Sequence, residues 1–287
     1  MVRILLAVLA ILVVAGVVIA CAPLSAFNTL LPHDGGVRKV ASDEAYGEGP
    51  RRRLDVFSPG ATNAPVIVFF YGGGWNAGKK SDYGFAADAL ASCGFVTVLP
   101  DYRLVPEVRF PGFLEDAAAA VRWTHDNAAR FGGDPDRIVL AGHSAGAYIA
   151  AMLALDQRYL ARAGAPISAI KGMAGISGPY DFYPFDVKAS IDAFGQAPDP
   201  AMTQPVSFAR KDAPPLLLLH GDKDTTVKPR NTISLSEKLR ALGARVETKF
   251  YPGVTHVPPL LALSPALRGK VSTRADVCAF AKRVTGS

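Results

Sequence analysis

The stretch Ile138-Val139-Leu140-Ala141-Gly142-His143-Ser144-Ala145-Gly146 constrains this chain more than any other. Four apolar residues predict a short buried strand, and the Ala/Ile/Leu-rich run 148–155 predicts a helix behind it. Between them lies Gly-x-Ser-x-Gly, with Gly142 and Gly146 flanking Ser144. A strand that turns directly into a helix adopts an uncommon backbone conformation and brings the two elements close, so a Cβ at either flank would clash. Such a turn lifts the serine hydroxyl clear of the sheet and aims the first helical N–H groups at whatever the hydroxyl approaches. A glycine-rich turn with an incidental serine is the plain alternative, and the remainder of the chain has to decide.

Around this turn, strand and helix signals alternate. Residues 37–46 and 53–57 predict two strands joined as a hairpin through Gly47-Glu48-Gly49-Pro50. The run 65–71 is continuously apolar, as in a strand buried on both faces, and leads into Gly72-Gly73-Gly74-Trp75. A helix over 83–92, a strand over 95–99 and a long amphipathic helix over 113–131, closed by Gly132-Gly133, follow. Beyond the serine turn come strands at 169–176, 216–220 and 246–251, with helices at 232–242 and 272–284. This predicts an α/β architecture: a mostly parallel sheet of eight strands, with helices on both faces. Residues 179–214, rich in proline and aromatics, break the rhythm and read as an excursion that forms a lid or pocket wall.

Composition removes several function classes. With 287 residues, 49% apolar and 20% charged, the chain can bury a sizeable core. The net charge of +6 is scattered; Arg51-Arg52-Arg53 is the one tight basic cluster and reads as a solvated loop, so no nucleic-acid partner is expected. No Cys/His cluster has metal-ligand spacing, and neither metal nor cofactor is expected. Residues 1–24 stand apart: Arg3, an uncharged apolar run over 4–20, then Cys21-Ala22-Pro23. That pattern predicts an export signal, and Val18-Ile19-Ala20-Cys21 resembles the bacterial lipobox, in which the cysteine carries lipid. An exported, membrane-associated protein lipidated at Cys21 is the expectation, with an uncleaved single transmembrane anchor or a plain signal peptide as alternatives. Residues 25–36 then read as a linker and 37–287 as one catalytic domain. Cys93 and Cys278 remain, able to pair or to stay as buried thiols.

In an open parallel sheet, chemistry collects at the carboxyl ends of strands. Ser144 follows one predicted strand, Gly221-Asp222-Lys223-Asp224 the next but one, and Pro252-Gly253-Val254-Thr255-His256 the last. A serine hydroxyl needs a base within hydrogen-bond reach. Of five histidines, His33 falls in the connector and His125 inside a helix. His143 neighbours Ser144 on a turn whose adjacent positions point apart, and His220 closes a strand. His256, in a Gly/Pro-rich loop, is free to reach the serine. Either Asp222 or Asp224 can supply the acid that holds the imidazole in one tautomer.

The order Ser, Asp, His along the chain resembles the α/β-hydrolases of the esterase/lipase group. Tyr71-Gly72-Gly73-Gly74-Trp75 stands where that group carries a His-Gly-Gly-Gly-type loop, and Asp101-Tyr102-Arg103-Leu104 and His220-Gly221-x-x-Asp224-x-x-Val227 also match its patterns. The resemblance runs from about residue 50 onwards. It implies the α/β-hydrolase fold, a Ser144/Asp224/His256 triad, an oxyanion hole of Gly73, Gly74 and Ala145 N–H groups, and a small-molecule carboxylic ester as substrate. It favours Asp224 over Asp222, which then reads as a turn residue. Tyr71 departs from the usual histidine and implies a shifted substrate preference, because that position orients the loop. Trp75 and Tyr180 are candidates for the pocket wall, with core packing the alternative for Trp75, and Asp101 with Arg103 reads as a structural ion pair. An arylformamidase-like amidase, which shares Gly-Gly-Gly-Trp loops, and a catalytically idle membrane-tethered binding protein are the rival readings.

Overall fold

A computed structural model of the chain describes residues 23–30 and 32–287. The apolar run 4–20 and Cys21 lie outside the described residues. The strands are β1 (Arg38–Ala45), β2 (Arg53–Ser58), β3 (Ala64–Phe70), β4 (Val96–Pro100), β5 (Gly133–His143), β6 (Ile170–Ile176), β7 (Leu216–Gly221) and β8 (Val246–Tyr251). They form one sheet in the order β1-β2-β4-β3-β5-β6-β7-β8, in which β1–β2 and β2–β4 pair antiparallel and the other neighbours parallel. The mostly parallel eight-stranded sheet expected from the apolar runs is therefore present.

The helices are α1 (Pro23–Leu30), α2 (Gly84–Ala91), α3 (Gly112–Asn127), α4 (Ala145–Leu155), α5 (Gln157–Ala163), α6 (Lys188–Phe194), α7 (Arg230–Ala241), α8 (Pro258–Leu261) and α9 (Thr273–Thr285). Helices α3, α4 and α7 pack on one face of the sheet, and α2 and α9, in contact with each other, cover the other. β3 is buried from end to end, as its unbroken apolar run requires. So is α4, whose AGAYIAAMLAL sequence has no polar face and packs between the sheet and α3. At the sheet edge, β1 is largely exposed and highly charged, and its register is broken on either side of Ala41, features that blunt an edge against further pairing.

The expected linker and one unexpected helix, α5, differ from the sequence expectation. Residues 25–36, expected as a linker, include most of α1, which docks on the domain: Phe27 packs edge-on against Phe85, and Asn28 Oδ1 accepts from Phe85 N at 2.7 Å. Polar anchors of this kind carry no periodic signal. The excursion 179–214 holds α6 and two short 3-10 turns, Pro200–Thr203 and Pro205–Phe208. α5, absent from the expected elements, starts at a side-chain cap in which Asp156 accepts from Arg158 N.

Cys93 and Cys278 form a disulfide joining the segment after α2 to α9 across 185 positions of sequence. Closing so long a loop restricts the unfolded chain strongly, by about 2–5 kcal/mol in typical proteins. Cys278→Ser is expected to lower the unfolding free energy by that amount in urea titrations, and reductant is expected to bring the wild type down to the same curve.

Candidate active site

Strand register decides what can meet at the carboxyl edge of the sheet. Phe70 pairs with Gly142, His143 with Ile176, Ile176 with Leu219, and Gly221 with Tyr251. The loops leaving β3, β5, β7 and β8 therefore open side by side, where the chain direction switches about β3. Ser144 sits at the β5–α4 turn with φ 54° and ψ −122°, a region that costs a non-glycine residue about 1–3 kcal/mol. The sheet holds it there, since Ser144 N donates to Ile176 O at 2.9 Å. A Cβ on Gly146 would stand 2.0 Å from the Phe70 carbonyl oxygen, and one on Gly142 2.4 Å from the Gly146 backbone. Both glycines are required by contact.

The structure brings Ser144, His256 and Asp224 together. His256 Nε2 lies 2.9 Å from Ser144 Oγ, and His256 Nδ1 lies 2.7 Å from Asp224 Oδ2. Asp224 is buried, and its Oδ1 accepts from the N–H groups of Thr226 and Val227, each at 2.9 Å. Burial pushes its carboxyl up, but hydrogen bonds from His220 and His256 prevail and hold it well below the usual carboxylate range. With Asp224 ionised, His256 donates through Nδ1 and presents Nε2 as the acceptor for the serine hydroxyl. His220 lies beneath: Nε2 donates to Val227 O at 2.7 Å and Nδ1 accepts from Thr232 Oγ1 at 2.8 Å. Asp222 is a turn residue, accepting from Gly253 N at 2.7 Å.

His143 turns away from the serine and engages the histidine loop. Its Nε2 lies 3.2 Å from the His256 carbonyl oxygen, to which it donates, and the two rings stand 4.9 Å apart. Burial, together with the nearby His256, lowers its pKa to about 3, so the ring is neutral. His33 bonds Asp88 at the surface, and His125 sits beside Asp126 on α3.

The loop after β3 has positive φ at Gly73, Gly74 and Trp75. A Cβ on Gly73 would stand 2.2 Å from the Ala77 carbonyl oxygen, and the Gly73 carbonyl accepts from Asn76 N and Ala77 N to close the turn. Among the described residues, the N–H groups of Gly73 and Gly74 have no acceptor, and Ala145, first in α4, has no intrahelical one. Gly74 and Ala145 line, with Ser144, a cavity of about 340 Å³.

Tyr71 stays behind this loop, fully buried and stacked between Tyr83 and Tyr102. Its hydroxyl donates to Asp101 Oδ1 and accepts from Arg51 Nη2, both at 2.9 Å, while Arg51 also donates to Gly78 O at 2.6 Å. Two expectations are corrected here. Asp101 does not pair with Arg103: it takes Tyr71 and Lys80 N, and Arg103 grips buried Asp116 through two bonds of 2.8 Å. Nor is the arginine cluster a solvated loop, since Arg51 braces the β3 loop and Arg52 joins Asp116. The antiparallel pairing of β2 with β4, with Leu54 opposite Pro100, sets Arg51 beside Tyr102, and α3 brings Asp116 to Arg52 and Arg103.

Trp75 serves in both capacities considered: it lines the cavity and packs edge-on against Tyr148 and Phe194. Tyr180 is corrected. It is fully buried outside the lining, against Gly175 and Gly178, because Asn231 Oδ1 accepts from Tyr180 N and Asp181 N and fixes the segment; Pro179 and Phe182 line the cavity instead.

The Asp224 carboxyl also gives a pH signature. A carboxyl held below its unfolded value of about 3.9 stabilises the fold above that pH and loses this contribution as pH falls towards the folded value. Urea titrations of wild type and Asp224→Asn are therefore expected to differ most near pH 7, with the gap narrowing progressively below about pH 4.

Comparison with known proteins agrees with this architecture. The BD-FAE family model matches residues 54–239. The isoprenylcysteine alpha-carbonyl methylesterase ICME of Arabidopsis thaliana is 32% identical over 257 residues, covering 81% of this chain and 59% of that protein. Esterase LipC of Mycobacterium tuberculosis is 32% identical over 236 residues, covering 74% and 58%. The chain thus spans somewhat under three-fifths of the length of these relatives. Esterase B from Lactobacillus rhamnosis superposes with a TM-score of 0.80 at 20% identity, covering 96% of each chain, and so shares the fold. On this match, which spans most of the sheet together with the β3 loop, Ser144 and Asp224, the chain belongs to the BD-FAE family of α/β-hydrolases.

Proposed function

We propose that this protein is a serine hydrolase of the carboxylesterase type, cleaving esters with small or medium acyl groups through an acyl-enzyme on Ser144. The observation that carries the reading is the unbroken relay of 2.9 Å and 2.7 Å from Ser144 through His256 to buried Asp224. His256 Nε2 takes the hydroxyl proton as Ser144 Oγ bonds to the acyl carbon, and Asp224 stabilises the imidazolium. The carbonyl oxygen becomes an oxyanion that accepts from the N–H groups of Gly73, Gly74 and Ala145, each donor contributing about 3–4 kcal/mol where such sites have been dissected. Collapse expels the alcohol, protonated by His256; water, deprotonated by the same ring, then releases the acid and restores Ser144. The relatives' names, a methylesterase and an esterase, support ester over amide bonds.

We further propose that the protein is exported and held at a membrane by lipid on Cys21. The support is the apolar run 4–20 ending in Val18-Ile19-Ala20-Cys21, together with the Cys93–Cys278 disulfide, which suits an oxidising compartment.

Two measurements test these readings. Ser144→Ala is expected to abolish fluorophosphonate labelling and to lower kcat/KM on 4-nitrophenyl butyrate by at least about 10³-fold. Faster turnover of N-formylkynurenine than of any ester would overturn the ester assignment, and an unlabelled folded wild type would overturn the enzyme. For the tether, cells fed labelled palmitate are expected to label the wild type and not Cys21→Ser. Equal incorporation in both removes lipidation at this residue.

A further inference from the structure

The cavity over Ser144 has two walls of different chemistry. The loop after β3 and the excursion contribute apolar surface: Trp75, Pro179, Phe182, Val187 and Ala189. Trp75 and Phe182 stack at 6.0 Å and, through Phe194 and Tyr148, join an aromatic cluster that makes this wall rigid. The turn between β7 and α7 contributes two hydroxyls, Thr225 and Thr226, and two cations, Lys228 and Arg230.

That turn is pinned by buried groups. Asp224 Oδ1 accepts from Thr226 N and Val227 N, His220 donates to Val227 O, and Asn231 donates to Lys228 O through both N and Nδ2 at 3.0 Å. The bonds that hold the acid under His256 therefore also fix where the two cations leave the backbone. Among the described residues, neither Lys228 nor Arg230 has a carboxylate within 4.0 Å, whereas nearby Lys188 pairs with Asp192 at 2.7 Å. The acidic groups around them are otherwise engaged or separate. Asp224 faces the histidines, Asp181 takes Ser234 Oγ, and Asp222 takes Gly253 N. Asp186, exposed on the excursion, is the one carboxylate among the described residues that line the cavity. Two cations against one lining carboxylate leave the mouth one charge positive, beside an apolar wall.

We infer that the ester taken by this site carries a carboxylate, held by Lys228 and Arg230, with its apolar half against Trp75 and Phe182. The inference rests on the esterase reading and adds the substrate's charge. One anion matches the unbalanced charge. The planar Arg230 guanidinium suits a carboxylate in bidentate contact, and the low-dielectric wall strengthens the attraction.

Matched ester pairs test it on the full-length protein. On the acyl side the pair is 4-nitrophenyl heptanoate and 4-nitrophenyl hydrogen adipate. On the alcohol side it is 4-methylphenyl acetate and 4-acetoxybenzoate. In at least one pair the anionic member is expected to have the higher kcat/KM, and the ratio is expected to fall as salt rises. Lys228→Glu/Arg230→Glu is expected to reduce that ratio by about tenfold or more, like charges now facing the substrate. Fluorophosphonate labelling of Ser144 in the double variant establishes that it is folded; should it fail to label, Lys228→Gln and Arg230→Gln carry the same comparison. Ratios that favour the neutral ester in both pairs, or that do not move on charge reversal, overturn the inference while leaving the esterase reading intact. No Ser144-dependent hydrolysis of any of the four esters would instead remove the esterase reading.

Discussion

The tightest backbone approach at a glycine, among the described residues, is that of α4 to the end of β3. A Cβ at Gly146 would stand 2.0 Å from the Phe70 carbonyl oxygen, so the helix behind Ser144 touches the backbone of the neighbouring strand. That contact exists because β3 and β5 pair in parallel with Phe70 opposite Gly142. From it follow the sharp turn at Ser144, its positive φ, and the meeting of the Tyr71–Gly74 loop with the serine. Burial of α4 on every side locks the arrangement, since a helix with no polar face has nowhere else to go. Strain at a single residue is thus carried by a whole sheet edge and a buried helix.

A second layer of polar groups aims the loops. Asp224, Asp101 and Asp116 are carboxylates removed from bulk water, and each gathers donors from segments distant in sequence. Asp224 collects His220, His256 and two amides; Asp101 collects Tyr71 and Lys80 N; Asp116 collects Arg52 and Arg103. A buried carboxylate without donors is costly, so each of these loops is held to the geometry that satisfies its anion. Arg51 extends the scheme to the β3 loop, joining the Tyr71 hydroxyl to the Gly78 carbonyl. Where the resemblance led to a histidine being expected, at position 71, the chain uses a phenol wedged between two tyrosines as the anchor of this loop.

How much of this could be read beforehand depended on range. Local patterns gave the strands, because β3, β5, β6 and β7 are apolar runs, and gave Ser144 and the glycine loop, because backbone geometry demands glycine there. The rule that chemistry sits at strand ends placed His256 and left Asp222 and Asp224 open; the resemblance to the esterase pattern chose Asp224. The misread side chains were all held by long-range partners. Arg51 and Arg52 read as a basic loop because their partners, Tyr71, Tyr102 and Asp116, lie 20 to 64 positions further along the chain. Arg103 bonds Asp116, not Asp101, because α3 brings that carboxylate under it. Tyr180 looked like a pocket residue by composition, yet Asn231, some fifty positions later, turns it into a glycine-lined slot. Polar satisfaction in three dimensions leaves no periodicity to read.

Two histidines with rings 4.9 Å apart show how burial divides one side-chain type into two functions. His143 is buried among strand ends with no carboxylate bonded to it; burial and the nearby His256 outweigh the pull of Asp224, its pKa falls to about 3, and it acts as a donor to the His256 carbonyl. His256 has Asp224 at Nδ1 and Ser144 at Nε2, so a proton arriving on that ring meets a buried anion. Had His143 been chargeable, acidification would place a second cation against the imidazolium that the reaction must form. Keeping the neighbour neutral leaves no second cation beside the His256–Asp224 pair. The residue beside the nucleophile therefore takes no part in proton transfer, yet it holds the loop on which that transfer depends.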